Sequence, residues 1–521
     1  MESAKRAAAA RNGTCEAPTG PSAESLRTED MPTSPQLESA QERRERWRSV
    51  YVIYFTTFQM SLGFSIALTG VWPYLDKLEP GGTKDSLGVA VGAHPVGQLV
   101  CSPLLGWWAA RGRARPPLLA SLALFVLASV LYAQLHLARP RALYAMVAAR
   151  FLVGVSSANI AVARAYLSAA TLVGERTRAV AGVSLAQVLG FIVGPALQAA
   201  VAPLGPGPAY AQGGPLLRLD MYTAAGWINA VLGSVNFALL LPWCFKERAV
   251  AAREAMIAQG ADSEREALKA LKPDPVSSWA LVGAFFVLVF TFVLLETLAT
   301  PLTVDQFAWD RAQALQYMGA LMSAGALLAC VTFLAIGPLT RRIDERALLV
   351  WGGFLLTGVA SLLCVPWGPG PPPLAPAVGA PGCPQGQQPW CASSRGLRLP
   401  QFVLGYACVS VGYSLGVTLI QTIFSKVLGP RPQGVWQGVL TSAGCLSRAL
   451  GPLFVSAVYT RGGPDAVFAS TAALTFGAML ALRAVYPRLR APSPSPSPRL
   501  ELRPLRFHEA EALTDFLNEG E

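Results

Sequence analysis

Charge is what this sequence has least of. Asp, Glu, Lys and Arg make up 14% of its 521 residues, and histidine occurs only three times. Soluble domains run nearer a quarter charged, so a water-facing globule is excluded. His94, His136 and His508 stand far apart in the chain and offer no zinc site. No segment matches G-x-x-x-x-G-K-S/T, which excludes the phosphate cradle of an ATP-driven pump. No Gly-x-Ser-x-Gly elbow stands in a context fit for a hydrolase nucleophile. The expectation is therefore no enzyme, no cofactor and no metal. The first 45 residues hold no apolar run beside a cleavage site, and they do not read as a signal peptide.

What the sequence has in quantity is apolar surface: 52% hydrophobic residues and a mean hydropathy of +0.40. Runs of about 20 apolar residues match the thickness of a hydrocarbon core. Backbone groups at that depth must bond internally, so each run reads as a helix. The runs are 50–72, 86–109, 117–137, 142–168, 179–202, 221–244, 278–300, 313–338, 347–366, 400–425, 434–459 and 464–486. Twelve spans place both termini on one side. Loops after even-numbered spans hold sixteen Lys and Arg against nine after odd-numbered spans. That asymmetry puts the even loops and both tails in the cytosol, in agreement with Arg43, Arg44, Arg46 and Arg48. The net charge of +11 is spread between apolar runs rather than gathered in a patch, so nucleic acid is not the expected partner. The bilayer is.

A cytosolic N-terminal tail, 1–49, reads as disordered. Residues 50–245 form one six-helix half, 246–277 a cytosolic connector, and 278–487 a second half. A cytosolic tail, 488–521, opens on the spacer APSPSPSPR and closes on the weakly amphipathic FHEAEALTDFLNEGE, either disordered or a short docking helix. The fold class is all-α: two pseudo-symmetric six-helix bundles. Spans 5 and 11 carry the repeat, each opening near a glycine (Gly174, Gly429) and closing on Gly-Pro (Gly194-Pro195, Gly451-Pro452). Duplicated halves of this kind hold the permeation path between them.

A charge inside such a run costs roughly 2.5–3.5 kcal/mol on insertion scales, so each one needs a reason. Arg150 lies in the outer half of span 4, and Arg164 is one or two turns from its cytosolic end. Arg448 lies near the middle of span 11, and Glu296 in the outer half of span 7. Arg164 either snorkels to water or serves a cytosolic gate. Arg448 faces either a wet cavity or a buried carboxylate. Glu296 is either the partner of an arginine, which lowers its pKa, or a proton carrier whose pKa desolvation raises. His94, beside Pro95, is a second candidate proton site or a side chain bonded to a neighbouring helix. Gln98, Asn159 and Gln187 stand at middle depths, where they line a polar path or bond between helices. Cys383 and Cys391 share the long outer loop. In an oxidising compartment they close a short ring, with a contribution of about 2–3 kcal/mol.

The run GWWAARGRARPPL resembles a degraded signature loop of the major facilitator superfamily. Gly106, Arg111 and Arg113 carry the likeness, and Ala110 stands where the pattern has an acid. Arg150 with Gly154 resembles the span 4 signature, and Gly190, Gly194 and Pro195 the span 5 signature. Pieces such as ERWRSVYVIY, QVLGFIVGP, LLETLATPLT and SRALGP resemble lysosomal members of that superfamily, over about residues 45–460. The resemblance implies the facilitator fold, an endolysosomal address and chloride passage. Arg111, Arg113 and Arg164 then become gate candidates, and Arg150 and Arg448 the cationic lining. A proton-coupled carrier of an organic solute is the alternative, and a non-transporting scaffold a further one. Sorting adaptors at the tails are expected partners, although DERALL, the one dileucine-like run, enters span 9.

Overall fold

The structure is a computed structural model. It describes residues 37–79, 84–138, 141–205, 218–375 (except 262 and 272), 382–384 and 388–492. Both expected tails therefore lie largely outside the described residues. Ten helices are long and apolar enough to cross a membrane. One of them, Gly434–Ala484, breaks at Gly463 into two. With the 17-residue helix Thr223–Leu239 the number reaches twelve among the described residues. We label them α1 (Ala40–Leu78), α2 (Lys84–Ala110), α3 (Arg115–Ala133), α4 (Ala142–Ala170), α5 (Val173–Val201) and α6 (Thr223–Leu239). The second half holds α7 (Pro275–Phe307), α8 (Arg311–Leu339), α9 (Glu345–Leu363) and α10 (Leu399–Val427), then α11 (434–462) and α12 (464–484).

Two boundaries differ in ways that matter. Helix α1 begins ten residues before the apolar run, so the stretch from Ala40 to Ser49 is not the disordered tail expected there. Ser39 and Glu42 form a reciprocal capping box that satisfies orphan amides at the helix start. Arg46, fully buried, then pairs with Glu38 and Glu175. Arg248 of the connector takes Glu42 and Glu45, each at 2.8 Å. Helix α5 likewise starts at Val173, so Arg176 belongs to a buried first turn rather than to a loop.

Each half buries its own core. Leu62, Ile66, Val71 and Met146 pack in the first. Phe285, Leu288, Phe354 and Phe424 pack in the second. The repeat reappears as matched pairs, α5 against α1 and α11 against α7. A methyl added at Gly190 or Gly194 would strike the Phe58 carbonyl or the Ser65 hydroxyl of α1. One added at Gly444 or Gly451 would meet Phe285 at 2.9 Å or Val293 at 2.7 Å on α7. Small residues let these backbones approach.

The halves meet at the end that carries the connector. Gly106 of α2 and Gly434 of α11 touch backbone to backbone, each within contact distance of the other's carbonyl oxygen. One turn on, Gly438 sits against Ser102 and Pro103. Ser442 Oγ donates to the Leu99 carbonyl at 2.7 Å, continuing the seam. At the opposite end the Cys383–Cys391 disulfide, Cα to Cα 5.8 Å, holds a loop over the second half. Its Trp390 lies on Gly463, whose φ of 67° and contact with the indole both exclude a side chain.

Two outcomes test these packings. Gly434→Ala forces α2 and α11 apart, and overpacking of this kind costs about 1–3 kcal/mol. The purified variant should melt several degrees below the parent; an unchanged melting temperature would show the seam to be loose. Thiol reagents applied on the loop side should label Cys383 and Cys391 only after a reductant is added. Labelling without reductant would refute the bond.

Candidate translocation site

A helix rises 1.5 Å per residue, which sets heights above the connector end. Arg448 stands fourteen residues into α11, and Tyr413 fourteen residues back from the end of α10, both at about 21 Å. Arg150 stands twenty residues back from the end of α4, at about 30 Å. Around this middle level the two halves face each other with a particular set of side chains.

Arg150 is buried, 1% exposed, and none of its three guanidinium nitrogens has a hydrogen-bond partner. Its guanidinium carbon sits 5.4 Å from the centre of the Phe64 ring. Phe64 meets Phe191 edge-on, ring centres 5.8 Å apart. The ring centre of Phe191 in turn lies 5.9 Å from the guanidinium of Arg448, which comes from the other half. Two arginines of opposite halves are thus separated by a pair of phenylalanines. Neither forms a salt bridge or hydrogen bond among the described residues. On the facing wall Phe292 of α7 stacks on Tyr413 of α10 at 4.1 Å. Tyr413 is within electrostatic reach of Arg448, Glu296 and Arg164 at once.

The sequence profile of the Major Facilitator Superfamily matches residues 53–380 and 389–519. This chain belongs to that superfamily. A curated relative, Major facilitator superfamily domain-containing protein 8 of Xenopus laevis, is 35% identical over 481 residues, 87% of this chain and 94% of the relative. Among solved structures, the human organic anion transporter MFSD10 (TETRAN) superposes with a TM-score of 0.58 at 20% identity. It covers 84% of this chain and 99% of its own. The facilitator FucP, in its outward conformation, gives 0.59 at 12% identity, covering 84% and 99%. Both structures share the fold.

Within this facilitator the candidates part company. Arg150 and Arg448 are brought to the two sides of the Phe64–Phe191 pair, at different heights, as described. Glu296 is exposed and pairs with no arginine among the described residues, so the partner alternative does not hold in this conformation. Its electrostatic neighbours are Tyr406 and Tyr413. It projects from the α7 surface rather than into the helix-packed core.

Arg164 does not snorkel. It donates to Thr441 of α11 at 3.3 Å and to Gln187 of α5 at 3.4 Å, joining the halves below the arginine level. Gln187 thereby serves that junction. Asn159 turns away from the path, donating to Ser121 of α3 at 3.0 Å. His94 and Gln98 both address Ser157, the former 3.2 Å from its hydroxyl and the latter donating 3.2 Å to its carbonyl. They close α2 against α4 where α4 loosens at Ala158, and the His94 ring also lies 4.6 Å, centre to centre, from Phe64.

The signature-loop arginines also depart from expectation. Arg111 stacks 3.6 Å above its own helix's Trp107, and Arg113 is exposed; neither meets a carboxylate among the described residues. The DERALL leucines, Leu348 and Leu349, are buried in α9, which removes them as an accessible sorting signal. Among the described residues no cluster of three His, Cys, Asp or Glu is arranged to hold a metal.

Sequence reasoning missed Phe64, Phe191 and Tyr413, because aromatics in an apolar run carry no mark of standing beside an arginine of another helix. It also missed Arg176, which the late start given to span 5 placed in a loop. Glu175 and Arg176, a charged pair at the head of an apolar run, were the available signal.

Proposed function

We propose that this facilitator moves anions, chloride above all, through the space between Arg150 and Arg448 in the endolysosomal membrane. The carrying observation is the pair of guanidiniums from opposite halves with no acidic partner among the described residues. A cation withheld from water without a counter-charge is costly, and an entering anion supplies that charge. Cationic side chains select anions by their field, while the phenylalanine faces between them offer no competing acceptor. Both arginines present planar donors that match halide or carboxylate alike. The membrane address rests on the resemblance to lysosomal facilitators. The cytosolic placement of connector and tails rests on the Lys and Arg asymmetry. With that orientation the packed end faces the cytosol and the arginine level faces the lumen. Adaptors for sorting would then meet the tails.

A second reading comes from Glu296. A carboxylate on the α7 surface, with no cation on it and beside two tyrosines, is a candidate proton site. That favours a proton-coupled carrier of an organic solute; the human MFSD10 structure is named an organic anion transporter.

Reconstituted protein separates the two. Arg448→Gln removes a charge-assisted contact worth about 1.5–3 kcal/mol, so chloride flux should fall about tenfold or more with folding and trafficking intact. Arg448→Lys should retain part of it. Flux unchanged in the glutamine variant would take Arg448 out of the path. Glu296→Gln mimics the protonated acid. In a proton-coupled carrier it should abolish uptake driven by a pH gradient while exchange down the solute gradient persists. In a chloride path without coupling, flux should stay independent of pH in parent and variant alike. A variant with parental pH-driven uptake would dismiss Glu296 as the proton site.

A further inference from the structure

We propose that Arg176 is the latch of the gate at the connector end, holding the two halves shut by donating to helix carbonyls from both. The proposal rests on the transport reading above and concerns how the path closes rather than what passes.

The loop after α2 has Ala110 where the superfamily pattern has an acid, and Arg111 lies on Trp107. The charged clasp expected at that loop is therefore missing among the described residues, yet the halves are packed together here. Arg176 stands at the centre of this packing. It is 1% exposed and forms no salt bridge among the described residues. Its Nη2 donates to the carbonyls of Ser168 at 2.8 Å and Thr171 at 3.2 Å, at the end of α4. Its Nη1 donates to the Ser425 carbonyl at 3.2 Å, in the last turn of α10. The first two acceptors belong to one half and the third to the other. Carbonyls at helix C-termini lack intrahelical amides and carry the negative end of the helix dipole. A guanidinium, with its fixed fork of donors, can serve two such ends at once.

The surroundings repeat the theme. Ser425 Oγ donates to Ser168 Oγ at 2.8 Å across the same junction. Lys426, the next residue, reaches Glu345 of α9 at 2.8 Å and Thr177 of α5 at 3.3 Å. Glu254 and Glu345 lie within electrostatic reach of the Arg176 guanidinium. Neutral acceptors suit a reversible contact. When the halves part, water replaces the Ser425 carbonyl at the guanidinium, and no ion pair must be torn open. Without the side chain the closed state loses the donor that α5 extends to the end of α10, a contact the open state does not make.

The test uses the full chain in sealed vesicles and a membrane-impermeant thiol reagent. Cys445 of α11 is buried behind the junction, in electrostatic reach of Arg164 and Arg448, and reports opening from the connector side. A second reporter, Glu296→Cys combined with Cys445→Ser, reads access from the opposite side. Arg176→Ala should raise Cys445 labelling from the connector side about tenfold or more, with Cys445→Ser as the blank. In the second reporter the same substitution should lower labelling at position 296 in step. A latch predicts this reciprocity, whereas a merely loosened fold would raise both. Arg176→Lys, with fewer donors, should fall between, and it carries the test if the alanine variant does not fold. Unchanged Cys445 labelling, or labelling that rises on both sides, would overturn the latch. Neither readout depends on the solute. Parental flux in Arg448→Gln alongside intact reciprocity would sink the anion reading and leave the latch standing.

Discussion

A cation kept from water must find negative charge or dipole somewhere, and the organisation of this molecule follows from how its arginines do so. Arg46 has two carboxylates and fixes the start of α1 to the α4–α5 corner. Arg176 has only carbonyls, drawn from both halves. Arg164 has a hydroxyl and an amide oxygen, again across the junction. Arg150 has an aromatic face and nothing else. Compensation thus weakens along the path from the connector end to the middle of the bundle. Full ion pairs hold the corner at α1, neutral acceptors bridge the two halves, and the Arg150 guanidinium has no hydrogen-bond partner.

The same gradient appears in the packing. At the connector end the α2–α11 seam turns on glycines, so Gly106 and Gly434 meet backbone to backbone, with the Ser442 hydroxyl bonded across it farther along. Such a contact is close without being entangled, and it can be undone by rigid movement of one half. Higher up the interface widens to accommodate rings, Phe64 and Phe191 on one side and Phe292 and Tyr413 on the other. At the far end the second half wears a disulfide-closed loop pinned by Trp390 on Gly463. Tyr459, which meets the Trp390 ring at 5.1 Å, also donates to Asp305 of α7 at 2.8 Å. That loop belongs to one half and moves with it.

Much of the architecture is legible in the chain itself. Apolar length alone gives twelve spans, since nothing but a helix satisfies its backbone in hydrocarbon. The Gly-Pro ends of spans 5 and 11 reveal the duplication, and the structure pairs these helices with α1 and α7 in equivalent ways. The ends of helices are less legible. Ala40–Ser49 is polar yet helical, because Ser39 caps it and ion pairs with the connector hold it, features that hydropathy does not register. The break at Gly463 is legible, by contrast, because Arg461-Gly462-Gly463-Pro464 interrupts the apolar run between spans 11 and 12.

The candidate site divides along a physical line. Sequence determined that Arg150, Arg164, Arg448 and Glu296 are present at depths where charge is costly, because the cost depends only on residue type and distance along a helix. It did not determine which way each side chain turns. Direction depends on which helix lies opposite, and helix packing is a tertiary fact. Tertiary structure therefore sent Asn159 to α3, tied His94 and Gln98 to Ser157, and left Glu296 without a cation. It also buried Arg176 between two helix ends whose Ser168 and Ser425 lie 257 residues apart in the chain. The sequence by itself decided that charge would be carried inside the bundle; the fold decided which charges were compensated and which were not.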